Sequence, residues 1–217
     1  MEFINRVGIA LKGRDRLPPS VRKIMEDEAD YGAWNIEICK KPLNQALLTL
    51  GNLLSKGKLE ESYKRNNYDA LFHLFCIITM ENGKQFLLEK NHVIKLVPFD
   101  GIYGRDTLCE PVDLRGKFLT MKEIMDNTAK YMGKDFLPYD VVNNNCQDFI
   151  TSVLTANKLN TPELFDWVNQ DITAVIKDMN DNGVFRGLVQ KMINWITMLD
   201  VLYHGGKKPS KRKRINQ

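Results

Sequence analysis

The chain has 217 residues, 43% hydrophobic and 27% charged, ordinary for one globular domain of about 150–200 residues with a short appendage and contrary to wholesale disorder. Its net charge of +4 is unevenly placed: Lys207, Lys208, Lys211, Arg212, Lys213 and Arg214 put six positive charges into the last eleven residues, so the rest carries −2, the total of +4 less six. That body has no basic excess for nucleic acid, no run of about 18 apolar residues to span a membrane, and no cysteine and histidine spacing suited to zinc.

The four cysteines, Cys39, Cys76, Cys109 and Cys146, lie far apart and read as free thiols with no disulfide framework. MEFINRVGIALKGRDR lacks the apolar stretch of a signal peptide. Together these set the expectation of an intracellular protein, cytoplasmic or nuclear, in a reducing compartment. The expected organisation is a single domain over 1–206, with its core at about 33–160 and C-terminal helices over 161–204, followed by a disordered basic tail, 207–217.

In chain order, Pro18 to about Ala29 reads as a helix opened by prolines, which are tolerated in a first turn. Ala33 to Lys40 alternates as a short strand, and Pro42 is expected to start a second helix bearing Leu43, Ala46, Leu47, Leu50 and Leu54. Tyr68 to Met80 is rich in aromatic and β-branched residues and predicts a strand. Asn82-Gly83 is a turn, and Lys84 to Val97 returns as one further strand. Thr120-x-x-Glu123 is a capping box ahead of a helix to about Tyr131. Asn144 or Asn145 caps a helix from Cys146 to about Asn157, and Thr161-Pro162 opens another. A last helix is expected from about Val184 to Tyr203. Helices, then a hairpin, then helices predict an α+β fold.

The chemistry centres on Cys146. In the first turn of a helix, unpaired backbone N–H groups and the helix dipole favour thiolate over thiol. His73 lies inside an apolar strand, where imidazole has little packing reason to be. A type I turn with Gly83 in the left-handed region pairs Met80 with Lys84, setting Asn91 opposite His73 and Glu89 diagonally beside it. A plain two-residue turn shifts the register by one and brings His92 opposite instead. Either Asn91 or Glu89 then holds the imidazole in its useful tautomer, the third role of a triad.

These pieces, YDALFHLFCIITMENGKQFLLEKN and NNNCQDFITSVL, resemble the circularly permuted papain-like hydrolases: the permuted NlpC/P60 group, the lecithin:retinol acyltransferase-like proteins and the PPPDE peptidase-like proteins. The longer stretch from Pro18 is similar to uncharacterised proteins of large DNA viruses and fungi. The resemblance covers roughly residues 66–157. It implies a papain-like fold, a small antiparallel sheet with helices around it, Cys146 as nucleophile, His73 as base, and Asn91 or Glu89 as the orienting residue. It implies no metal and no organic cofactor. The order of His, acid and Cys also resembles the adenovirus-type and SUMO proteases, but Asp140 stands where that group carries its oxyanion glutamine. Candidates for an oxyanion or substrate-binding role are Tyr139, Asn145 and Gln147.

The expected function is a thiol peptidase or isopeptidase acting on a protein or peptide substrate through a Cys146 acyl-enzyme. The alternatives are a lipid acyltransferase or phospholipase, favoured if the amphipathic segment Gly187–Gly206 meets a membrane, and an inert structural or virion interaction protein. Lys208 to Arg214 has the form of a nuclear-import signal or a tether for nucleic acid or anionic lipid. Oligomeric state is not legible.

Overall fold

The computed structural model describes residues 17–42, 72–104, 106–140 and 144–169. Over these the chain is α+β. In order come α1 (Pro19–Asp27), β1 (Ala33–Pro42), β2 (Phe72–Met80), β3 (Gln85–Lys90), β4 (Ile94–Pro98), β5 (Leu108–Pro111), α2 (Met121–Met132), a 3-10 turn (Gly133–Asp135), α3 (Cys146–Ala156) and α4 (Pro162–Val168). The five strands form one antiparallel sheet in the order β4-β3-β2-β1-β5.

The period-2 alternation of side chains gives the sheet two different faces. Ile36, Ile38, Leu74, Cys76, Ile78, Met80, Phe86, Leu88, Ile94 and Leu96 face the helices. There they meet Val21 and Met25 of α1, Ile124 and Met125 of α2, and Phe149, Ile150 and Val153 of α3. The main core is therefore sheet on helices. On the other face Cys39, Phe75 and Ile77 form a smaller buried cluster with Leu87, Phe99 and Cys109 against it. Fully burying one side chain such as Phe149 is worth about 2–3 kcal/mol, so this helical layer is what holds α3, and with it Cys146, against β2 and β3.

Local signals explain the element ends. Pro18 and Pro19 open α1, and buried Glu28 just past its end accepts from Lys84 Nζ and Asn82 Nδ2 (2.6 Å), tying the helix to the β2–β3 turn. Gly83 takes φ 78° in that turn, a region that favours glycine, and Met80 N–H donates to Lys84 O (2.8 Å). The register follows: Cys76 pairs with Leu88 and Thr79 with Gln85. Thr120 and Glu123 form the reciprocal capping box of α2.

Several expectations need correction. Pro42 ends β1 rather than opening a helix. The helix expected over 43–54 lies outside the described residues, as do 68–71, the helix expected over 184–203 and the basic tail. The single return strand Lys84–Val97 is two strands, because the chain turns at 91–93, where Asn91 N–H bonds Val93 O (3.0 Å). The segment 99–117 contains β5, which pairs with β1 from Glu37↔Pro111 to Lys40↔Leu108. Cys39 and Cys109, directly opposite in that pairing, are joined in a disulfide. Neither is the free thiol expected, and the cysteines no longer argue for a reducing compartment. Sequence spacing could not show this, since the 70-residue separation closes only once β5 is known to be a strand.

Candidate functional site

The site forms where β2 outruns β3. The ladder between them ends at Cys76↔Leu88, while β2 begins at Phe72, so the first residues of β2 lie beyond it. There the backbone N–H of Leu74 comes close enough to the sulfur of Cys146 to favour its ionised form. Cys146 is the first residue of α3 and enters from the helical side. Asn145 is the N-cap: its Oδ1 accepts from Gln147 N (2.7 Å) and Asp148 N (3.3 Å), while Asp148 Oδ2 accepts from Asn145 N (2.9 Å). This capping box fixes the helix start on which the sulfur sits.

His73 and Glu89 belong by alternation to the opposite face, and both are buried. Their side chains meet, His73 Nε2 to Glu89 Oε2 at 2.7 Å. This sets the imidazole between Glu89 and Cys146, whose sulfur is close enough for the two groups to shift each other's pKa. Glu89 also pairs with Lys95 Nζ (3.3 Å). Cysteine, histidine and carboxylate thus form a continuous line from a helix start to the end of β3.

The electrostatics of the line favour an ion pair. Burial alone would lower the His73 pKa, but hydrogen bonds to Cys146 and Glu89, and their charges, raise it from 6.5 to about 9. Burial alone would raise that of Cys146, yet the His73 hydrogen bond and charge, with the N–H groups of Leu74 and of Cys146 itself, lower it. Burial would likewise raise Glu89, but His73, Lys95 and Lys41 hold it down at about 2. A thiolate facing an imidazolium that is backed by a carboxylate is the arrangement that activates sulfur for attack on a carbonyl.

Of the two orienting candidates, only Glu89 meets His73. Asn91 lies in the 91–93 turn, where its backbone N–H serves Val93, and the strand ends before it can stand opposite His73. His92 is exposed in the same turn. Of the oxyanion candidates, Tyr139 lies close enough to feel the sulfur: burial first, then the charges of Cys146, Asp140 and Asp148, raise its pKa, so its phenol stays protonated and can donate. The side-chain oxygen of Asn145 is committed to the cap. The backbone N–H of Gln147 is also used there, while its side chain lines a cavity of about 150 Å³. Lys40, Phe72, Leu74 and Trp167 also border that cavity, with Lys40 Nζ 4.1 Å from the Trp167 ring centroid. Cys76, the other free thiol, is buried on the helical face, and desolvation pushes its pKa up.

Two participants escaped sequence reading. One is the N–H of Leu74, which favours the ionised form of Cys146. The other is Lys90, beside Glu89, whose burial no local pattern announces. Among the described residues no group of His, Cys, Asp and Glu could hold a metal ion, and no helix is long and apolar enough to cross a membrane. Comparison with family models, curated proteins and solved structures returned no match.

The Glu89 carboxylate predicts a pH signature. Glu89→Gln keeps the shape but removes the charge, leaving Lys41 and Lys95 to repel an imidazolium. The His73 pKa should fall from about 9 toward 6.5, moving the alkaline limb of turnover down by on the order of one unit. The acid limb should rise, because the thiolate's partner is less often charged. The pH profile of kcat/KM on a fluorogenic peptide amide, which needs thiolate and imidazolium together, reads both limbs, and an unmoved alkaline limb would mean that Glu89 does not act on His73. Stability follows by linkage. Glu89 lies near 2 against an ordinary 4.5, so its contribution is present above about pH 4.5 and lost as pH falls toward 2. His73 lies near 9 against 6.5, so its contribution is present below about pH 6.5 and lost as pH rises through 9.

Proposed function

We propose that this protein is a cysteine hydrolase of the permuted papain-like type, cleaving an amide bond in a protein or peptide substrate. The observation that carries the reading is the continuous line of Cys146 at a capped helix start, His73 and Glu89. The order His, acid, Cys along the chain fits the permuted arrangement of the families that the sequence resembles.

The Cys146 thiolate attacks the carbonyl carbon, and the electron pair of the C=O bond moves onto oxygen. The Tyr139 hydroxyl, close enough to Cys146 for its charge to be felt, is the side-chain donor assigned to that oxyanion. As the tetrahedral intermediate collapses the C–N bond breaks, and the His73 imidazolium gives its proton to the leaving amine. The thioester left on Cys146 is attacked by water, whose proton returns to His73. The acid is released and the thiolate–imidazolium pair restored. Glu89 holds the ring and its charge throughout. The cavity beside Gln147 gives a side chain on the acyl portion of the substrate a place to rest.

The test is labelling of the full-length protein with a peptidyl aldehyde or a peptidyl acyloxymethyl ketone at pH 7, with the modified residue located by mass spectrometry. Cys146 should be modified while Cys76, buried with its pKa pushed up, is not. Hydrolysis of a fluorogenic peptide amide should accompany labelling. Labelling and ester cleavage without amide cleavage would favour an acyltransferase or lipase. No adduct on Cys146 in folded protein would leave an inert structural protein.

A further inference from the structure

The last two residues of β3 point to opposite faces of the sheet, and each reaches one half of the site. Glu89 holds His73 on one face. Lys90, fully buried, goes to the other, where its ammonium donates to Asp135 O and to Asn144 Oδ1, both at 2.9 Å, and lies 5.9 Å from the Phe149 ring centroid. Asn144 is itself tightly held. Its Nδ2 donates to Asp135 O (2.6 Å) and Pro138 O (2.7 Å), and its backbone exchanges hydrogen bonds with Asp140 (3.0 and 3.1 Å). The next residue is the cap of α3 and the one after it is Cys146.

Burying an ammonium is costly, and an apolar side chain of similar volume commonly serves a core at least as well. Stability alone therefore gives little reason for a lysine here. Among the described residues its ammonium donates hydrogen bonds to one segment alone, the one that delivers the cap. Burial lowers the Lys90 pKa to about 8, with Asp148 and Asp135 opposing the shift, so the ammonium form still dominates at neutral pH.

We propose that Lys90 is a positioning residue for the nucleophile, holding Asn144 and so the capped start of α3 in the register that brings the Cys146 sulfur to His73. This rests on the reading of Cys146 as nucleophile. One strand end then aligns both halves of the site, Glu89 setting the imidazole and Lys90 setting the thiolate.

The experiment measures alkylation of Cys146 by iodoacetamide against pH, with melting temperature, in the full-length wild type, Lys90→Met, Asn144→Ala and the double variant. Each single substitution should slow alkylation at pH 7 by about tenfold or more, since an ångström of misplacement at a reacting group has effects of that size or larger. Each should also raise the apparent pKa of the thiol. The double variant should be no worse than the more damaging single one, because both cut the same link. Lys90→Arg, which retains a charged donor, should recover part of the rate. Wild-type Cys146 reacting no faster than an ordinary thiol overturns the nucleophile reading itself. A fast wild type matched by folded Lys90→Met and Asn144→Ala proteins overturns only the positioning role, as does a lowered melting temperature with unchanged alkylation. If Lys90→Met does not fold, Asn144→Ala decides by the same criterion.

Discussion

Cys146→Ser and His73→Ala should each reduce hydrolysis of a peptide amide by about a thousandfold or more, while leaving a folded protein. Serine keeps the size of the cysteine and can still accept from the N–H of Leu74, but its hydroxyl does not ionise at neutral pH and makes a poor partner for an imidazolium. Alanine at 73 removes the proton carrier and uncovers Glu89, a carboxylate then left buried beside Lys95. His73→Ala should therefore lose some stability as well as turnover, whereas Cys146→Ser should lose turnover almost alone. Because the two residues act as one unit, the double variant should be barely worse than either single. The measurement is kcat/KM on a fluorogenic peptide beside a denaturant melt. Retention of most turnover by Cys146→Ser would mean that the nucleophile lies elsewhere.

Sequence reading reached the site wherever a local rule governs the backbone. Asn82-Gly83 sets the turn, the turn sets the register, and the register puts Glu89 beside His73 rather than bringing His92 across. Asn145 ahead of Cys146, with Asp148 three residues on, likewise announces a helix start, so the setting of Cys146 was legible from its neighbours alone. Asn91 and Glu89 could not be separated in advance. Both lie within reach of His73 on an ideal hairpin, and only the turn at 91–93, a break inside an otherwise plausible strand, removes Asn91. Lys90 was illegible for a different reason. A lysine following a glutamate reads as a solvated edge, and its burial depends on the loop around Asp135 and Asn144 folding over it from about fifty residues further on.

The same distinction between local and non-local information governs the cysteines. Cys146 is identified by what surrounds it in sequence, and Cys76 by strand alternation, which places it in the helical core. Cys39 and Cys109 have no such neighbours. Their pairing depends on a four-residue edge strand, Leu108–Pro111, with an exposed leucine and a proline at its end, too short and too polar to stand out from a loop. Once β5 is laid against β1 the two residues face each other directly.

Removing that bond should produce a large stability change at a distance from the proposed site. The bridge spans 70 residues, and closing a loop of that length in the unfolded chain corresponds to about 4 kcal/mol in the chain-entropy model, with 2–4 kcal/mol typical of measured bridges. Among the described residues little else stands ready to replace it. β5 is a short edge strand, and among the described residues the cluster on its face of the sheet has Cys39, Phe75 and Ile77 buried, with Leu87, Phe99 and Cys109 partly so. The double variant Cys39→Ser, Cys109→Ser, or the wild type under reductant, should therefore unfold at a distinctly lower denaturant midpoint. Turnover per folded molecule should change far less, since Cys146, His73 and Glu89 are placed by α3, β2 and β3. The nearest path to the site runs from Cys39 to its cross-strand partner Phe75, whose ring lies 6.4 Å from that of His73, so any effect on activity should be a modest change in kcat. A midpoint unmoved by reductant would show that the β1–β5 bridge contributes nothing to stability. A collapse of turnover in protein that is still folded would instead place β5 within the working site.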